Sequence, residues 1–215
     1  MALTLIIGNK NYSSWSLRPW VFLKVHGIAF NEVRIPLYRK DSKSKILSYS
    51  PAGKVPVLLD GDIKVWDSLA ILEYFAERFP ETQGWPEDAA DRALARSLAA
   101  EMHTGFSALR SHCGMNCRRT PATKPLPDAV YADIERIGQI WQECRSLHSN
   151  KGPWLFGRFT IVDAMFAPVA LRFYSYQLAT NPEAQAYINT VLEHPAIKAW
   201  IDAGKLETEI IPEFE

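Results

Sequence analysis

The stretch SPAGKVPVLLDGDIKVWDSLAILEYF, Ser50 to Phe75, decides the fold of the first third of the chain. The apolar run VPVLLD meets the turn Asp60-Gly61-Asp62, and IKVW then leads back, which predicts an antiparallel hairpin over Val55 to Trp66. Asp67 and Ser68 open a helix that carries Leu69, Leu72, Ala76 and Phe79 on one face, with Pro80 beyond its end. Pro56 stands at the strand entrance, where a residue without an N–H can be tolerated. A cis Val55–Pro56 bond would leave the Val55 N–H and C=O free to pair with an extended peptide. Only about one X–Pro bond in twenty is cis, so the residues alone favour trans.

Upstream of this stretch, LTLIIG (Leu3 to Gly8) is an apolar run of strand length closed by glycine. Leu17, Trp20, Val21 and Val25 form a helical stripe stopped at Gly27. EVRIPL alternates polar and apolar residues as a half-buried strand does, and SKSKILSYSPAG reads as a short helix. The order βαβαββα permits a parallel crossover pair followed by an antiparallel hairpin, hence an α/β unit with a mixed sheet and flanking helices. PETQGWPED (Pro80 to Asp88) is a break dense in Pro, Gly and charge. Beyond it, helices are predicted over Ala89 to Ser111, Ala129 to His148, Ile161 to Leu178, Asn181 to Leu192 and Pro195 to Ala203. The expected organisation is an α/β domain at 1–80, a linker at 81–88 and an all-helical domain at 89–215.

The 24 basic and 24 acidic side chains cancel, so no global positive field exists to attract nucleic acid. No apolar run reaches the roughly 18 residues of a membrane span, and the first residues lack a signal-peptide layout. The three cysteines, Cys113, Cys117 and Cys144, form no CxxC pair and no zinc-like spacing with histidine, so no metal is expected. An odd count of cysteines is simplest in a reducing cytoplasm.

NYSSWSLRPW, Asn11 to Trp20, carries the first chemical signal. Proline is tolerated in a helix's first turn, so Pro19 predicts Ser16 as the N-cap and Leu17, Arg18 and Pro19 as the opening turn. Ser13 and Ser14 then lie just upstream, facing the positive end of the helix, where an anion such as a thiolate is stabilised. Capping is the commoner role for such serines, and no GxSxG elbow suggests a hydrolase. Asp67 and Ser68 open a second helix whose N-terminus can hold a carboxylate. Asp67 itself can accept from an ammonium group or simply cap.

Taken together, these segments resemble cytosolic glutathione transferases along the whole chain. SSWSLR resembles the zeta-class SSCSWR signature, GKVPVL the cis-proline segment and DSLAILEY the acidic-Ser segment. TIVDAMFAPV resembles the family's folding signature. Within it, Thr160 and Asp163 predict a capping box, with Phe159 packed on Ala164 as a hydrophobic staple. The resemblance implies a thioredoxin-like first domain, glutathione as co-substrate, a small electrophile as second substrate and a homodimer. It assigns the sulfur-activating hydroxyl to Ser13, with Ser14 and Tyr12 as alternatives. Val55, beside Pro56, would bind the cysteinyl backbone, Asp67 and Ser68 the γ-glutamyl end, and Lys54 or Lys40 the glycyl carboxylate.

The electrophile pocket is expected from Trp15, Phe106, Leu109 and Met115. Arg110, Arg118 and Arg119 nearby read either as a solvated basic loop, the more frequent meaning of such a cluster, or as a preference for an acidic co-substrate. His103 and His112 are expected to be structural or exposed. Trp15 stands where the zeta signature has cysteine, and Asp67 where zeta enzymes typically have glutamine. The resemblance therefore implies conjugation or peroxide reduction. The alternatives are a zeta-like maleylacetoacetate isomerase and a noncatalytic glutathione-binding or regulatory module. With no cysteine in the opening loop, a mixed-disulfide mechanism is not expected.

Overall fold

The computed structural model describes residues 2–215. Its first part follows the order β1 (Leu3–Ile7), α1 (Ser14–Val25), β2 (Phe30–Arg34), α2 (Ser42–Leu47), β3 (Val57–Asp60), β4 (Ile63–Trp66) and α3 (Ser68–Arg78). The strands form one mixed sheet in the order β2-β1-β3-β4. β1 pairs parallel to β2, with Leu5 opposite Glu32, and antiparallel to β3, with Leu5 opposite Leu58. β3 and β4 are the expected hairpin, turned through Gly61 at φ 59°. Strand alternation sends Leu3, Leu5, Ile7 and Leu58 into the main core, and Ile6 and Val57 into a smaller one with Ile35 and Ile46 under α2. Both sheet faces are thus covered, as in a thioredoxin-like domain.

The helical domain comprises α4 (Ala89–Thr104), α5 (Ser107–His112), α6 (Asp128–His148), α7 (Ile161–Ser175), α8 (Pro182–Glu193) and α9 (Pro195–Lys205). α7 is buried almost throughout, and α1 packs against α3, α7 and α9, so one continuous core joins the domains. The predicted box at the start of α7 is present. Thr160 N and Oγ1 donate to Asp163 Oδ2 (2.8 and 3.1 Å), and Leu155 N donates to its Oδ1 (3.1 Å). Burial pushes the Asp163 carboxyl up to about 6 despite these donors. Phe159 enters an aromatic group, its ring centroid 5.0 Å from Trp154 and 6.4 Å from both Phe22 and His194.

Two expectations need correction. α1 starts at Ser14, capped by Ser13 rather than Ser16, so Pro19 lies beyond the first turn. The serines themselves drive the earlier start. Ser16 Oγ accepts from Gly8 N (3.1 Å) and from Ser13 Oγ (2.8 Å), and Ser13 Oγ in turn accepts from Ser16 N (3.4 Å). The helix predicted over Ala89 to Ser111 is broken between α4 and α5. Gly105 is extended there (φ −90°, ψ −168°), and Phe106 sits in the left-handed region at φ 55°.

Candidate functional site

The N-termini of α1 and α3 open onto a cavity of about 970 Å³ between the two domains. Its α/β wall contains Tyr12, Ser13, Ser14, Lys54, Val55, Pro56, Asp67 and Ser68. The Val55–Pro56 bond is cis, against the expectation from frequency, and the Val55 backbone makes no hydrogen bond to another described residue.

Each predicted hydroxyl has a distinct local setting. Ser13 is buried and serves as the cap, but capping uses its oxygen lone pair; its proton, given to Ser16, can rotate toward the cavity without releasing Ser16 N. The neighbouring Ser14 hydroxyl has no hydrogen-bond partner among the described residues and lines the same wall. Tyr12 is engaged elsewhere. Its hydroxyl bonds to Glu215 and Glu209 O, and accepts from Arg118 Nη2 (2.6 Å) and Ile211 N (3.2 Å). Burial and the Glu215 carboxylate raise its pKa, which keeps the phenol neutral.

At the second helix, Asp67 has φ 76°, a left-handed strain tolerated better by Asp than by most residues and concentrated at functional sites. Its Oδ1 caps α3 through Leu69 N and Ala70 N (2.9 and 3.2 Å). Its Oδ2 lies 3.2 Å from His103 Nε2 of α4. Ser68 is fully buried and accepts from Arg18 Nη1 (3.1 Å), leaving its own proton to donate. Arg18 is buried too, stacked on Trp15 at 4.2 Å.

Trp15 and Met115 line the cavity, whereas Phe106 and Leu109 do not. The break at Gly105 turns α5 toward α6, where Leu109 is fully buried and its N–H donates to Asp133 Oδ2 (2.9 Å). Lys40 is exposed and outside the cavity; Arg39 and Lys43 reach the wall in its place. Arg118 and Arg119 also lie elsewhere. Arg118 holds the C-terminal segment, with Glu207 O at 2.6 Å, and Arg119 stacks on Tyr176 at 4.4 Å. His112 is exposed, but His103 is a cavity residue, its ring edge-on to Trp15 at 5.2 Å.

Sequence reasoning missed His103, and it missed the burial of Arg18 and Arg172. The signal for Arg172 is a lone cation in a stretch, Ile161 to Phe173, that is apolar apart from the capping Asp163. Among the described residues no group of three or more His, Cys, Asp or Glu could hold a metal. No helix there is long and apolar enough to cross a membrane.

Residues 12–78 match the model of the glutathione S-transferase N-terminal domain, and residues 87–203 that of the C-terminal domain. The chain belongs to the glutathione S-transferase family. Glutathione S-transferase T1 of Arabidopsis thaliana is 27% identical over 205 residues, 91% of this chain and 80% of that protein. A probable maleylacetoacetate isomerase of Caenorhabditis elegans is 32% identical over 103 residues, 47% of each chain. Among solved structures, a glutathione transferase homolog from Burkholderia gl BGR1 with bound glutathione aligns at TM-score 0.69 and 23% identity, covering 95% of this chain and 98% of the other. That likeness is one of fold.

Proposed function

We propose that this glutathione S-transferase family member binds glutathione across the α/β wall and activates its thiol for attack on a small electrophile, or for peroxide reduction. The observation that carries the reading is the convergence of two helix N-termini and the unpaired Val55 backbone on one cavity. Val55 pairs with the cysteinyl backbone as an added strand. Ser68, held by Arg18, donates to the γ-glutamyl carboxylate, and Asp67 accepts from the ammonium. Lys54 meets the glycyl carboxylate, with Arg39 or Lys43 in the role Lys40 is too distant to fill.

Ser13 turns its proton to the sulfur at the N-terminus of α1 while continuing to cap that helix. Both the hydroxyl and the exposed amides favour thiolate over thiol. A shift of about two pKa units corresponds to about 2.7 kcal/mol and makes thiolate the main form at neutral pH. The uncommitted Ser14 hydroxyl supports a second version, in which it replaces Ser13 as donor.

The isomerase named for the Caenorhabditis elegans relative is the lesser reading, because Trp15 fills the place of the zeta cysteine between Arg18 and His103. A homodimer and a cytoplasmic setting belong to the same proposal. Retention on immobilised glutathione with turnover of chlorodinitrobenzene or a hydroperoxide supports the enzyme. Retention without turnover supports a binding module, and absence of both removes the reading.

A further inference from the structure

Two arginines enter the cavity from the helical domain, Arg110 of α5 and Arg172 of α7. Both are pinned along one edge by main-chain carbonyls. Arg172 Nε donates to Cys113 O (2.8 Å) and Nη1 to Pro168 O (3.3 Å), while Arg110 Nη1 donates to His103 O (3.1 Å) and Met102 O (3.4 Å). Among the described residues neither has a carboxylate at salt-bridge distance, and the Nη2 of each has no acceptor. Arg172 is only 4% exposed, and Arg18, also without a carboxylate partner, lies behind the same wall with its Nε unpaired. Burial, together with the other arginines, pushes Arg18 down to about 9, against the raising effect of Asp67, and Arg172 down to about 10, so both remain cationic at neutral pH; burial also lowers Arg110, against the raising effect of Asp133.

Buried cations without counter-charges are costly, and an anion that fills the space between them removes much of that cost. We propose that the helical-domain end of the cavity selects an electrophile bearing a carboxylate, bound by the free edges of Arg110 and Arg172. Carbonyls already fix both guanidinium groups, so little ordering is needed for the fork to receive the anion. Met115 and Trp15 supply the adjoining apolar surface for the carbon skeleton. The inference rests on the reading above in one respect: glutathione's own carboxylates are assigned to Ser68 and Lys54, which leaves the free edges of Arg110 and Arg172 to the second substrate.

The test compares calorimetric binding of para-nitrobenzoate and its neutral isostere para-nitrobenzamide to the full chain, with and without S-methylglutathione. The acid is expected to bind at least about tenfold tighter, by an advantage that shrinks with salt. Arg110→Gln should lose most of that advantage, and Arg172→Gln all of it, with S-methylglutathione affinity unchanged in both. If Arg172→Gln fails to fold for want of its bond to Cys113 O, the half-buried Arg110 decides the matter alone. Equal affinity for the two isosteres overturns the inference. So does an unchanged preference in Arg110→Gln, or a variant that loses S-methylglutathione and keeps the acid preference. Acid selectivity in a chain that ignores S-methylglutathione would instead sink the glutathione reading and leave the anion site standing.

Discussion

Asp67 Oδ2 lies 3.2 Å from His103 Nε2, joining the N-terminus of α3 in one domain to α4 in the other. The same carboxylate caps α3 with its other oxygen, so His103 helps to orient a residue that faces the cavity.

Burial lowers the His103 pKa, against the raising effect of Asp67, and burial lowers His26 and His194 likewise. A histidine whose pKa is lowered on folding takes up its proton first in the unfolded chain. Its contribution is therefore intact above the unfolded value of about 6.5 and is lost as pH falls below it. As pH is lowered from neutrality, the urea midpoint of the unsubstituted protein is expected to fall relative to that of His103→Gln, whose amide still donates to Asp67. Identical slopes would exclude His103 from the effect. Asp163 acts in the opposite sense: its carboxyl rises on folding from 3.8 to about 6, so its contribution is present at acid pH and lost as pH rises through 6.

Tyr12→Phe should leave the bound thiol's pKa unchanged while loosening the C-terminal segment. The substitution orphans Ile211 N and one Arg118 contact, at a cost of about 1–3 kcal/mol. Limited proteolysis near residue 211 should quicken, with the ultraviolet thiolate signal intact. A lost thiolate signal would return Tyr12 to the chemistry.

Thr160→Val removes one donor to Asp163 and is expected to cost about 1 kcal/mol. Asp163→Ala also strands the buried Leu155 and Thr160 N–H groups and should cost roughly 3 kcal/mol or more in urea unfolding. Equal effects of the two would show that the carboxylate does not hold the turn.

The fold was legible because its signals are local. The Asp-Gly-Asp hairpin, the helix after Asp67-Ser68 and the Thr160–Asp163 box each depend on residues a few positions apart. α1 starts earlier than Pro19 alone predicts because the Ser13–Ser16 pair sets its first turn, and the anchor of that pair at Gly8 N is a tertiary contact. The break at Phe106 depends on the seating of α5 against α6, which α4's periodicity cannot report. In the site, Asp67 and Ser68 were legible as the opening of α3, whereas Val55 rested on the resemblance, since the residues alone favour a trans bond before Pro56 and the bond is cis. His103 and Arg172 come from distant helices, and only packing brings them to the cavity.

The most direct measurement is titration of the ultraviolet thiolate absorbance of the glutathione complex in the unsubstituted protein, Ser13→Ala and Ser14→Ala. A bound thiol pKa about two units below the free value of about 8.5 is predicted. In Ser13→Ala it should rise by about one unit or more, and losing the cap should cost about 1 kcal/mol in urea unfolding, while Ser14→Ala changes neither. A free-thiol pKa in the unsubstituted complex, or the same lowered value in Ser13→Ala, would contradict the account.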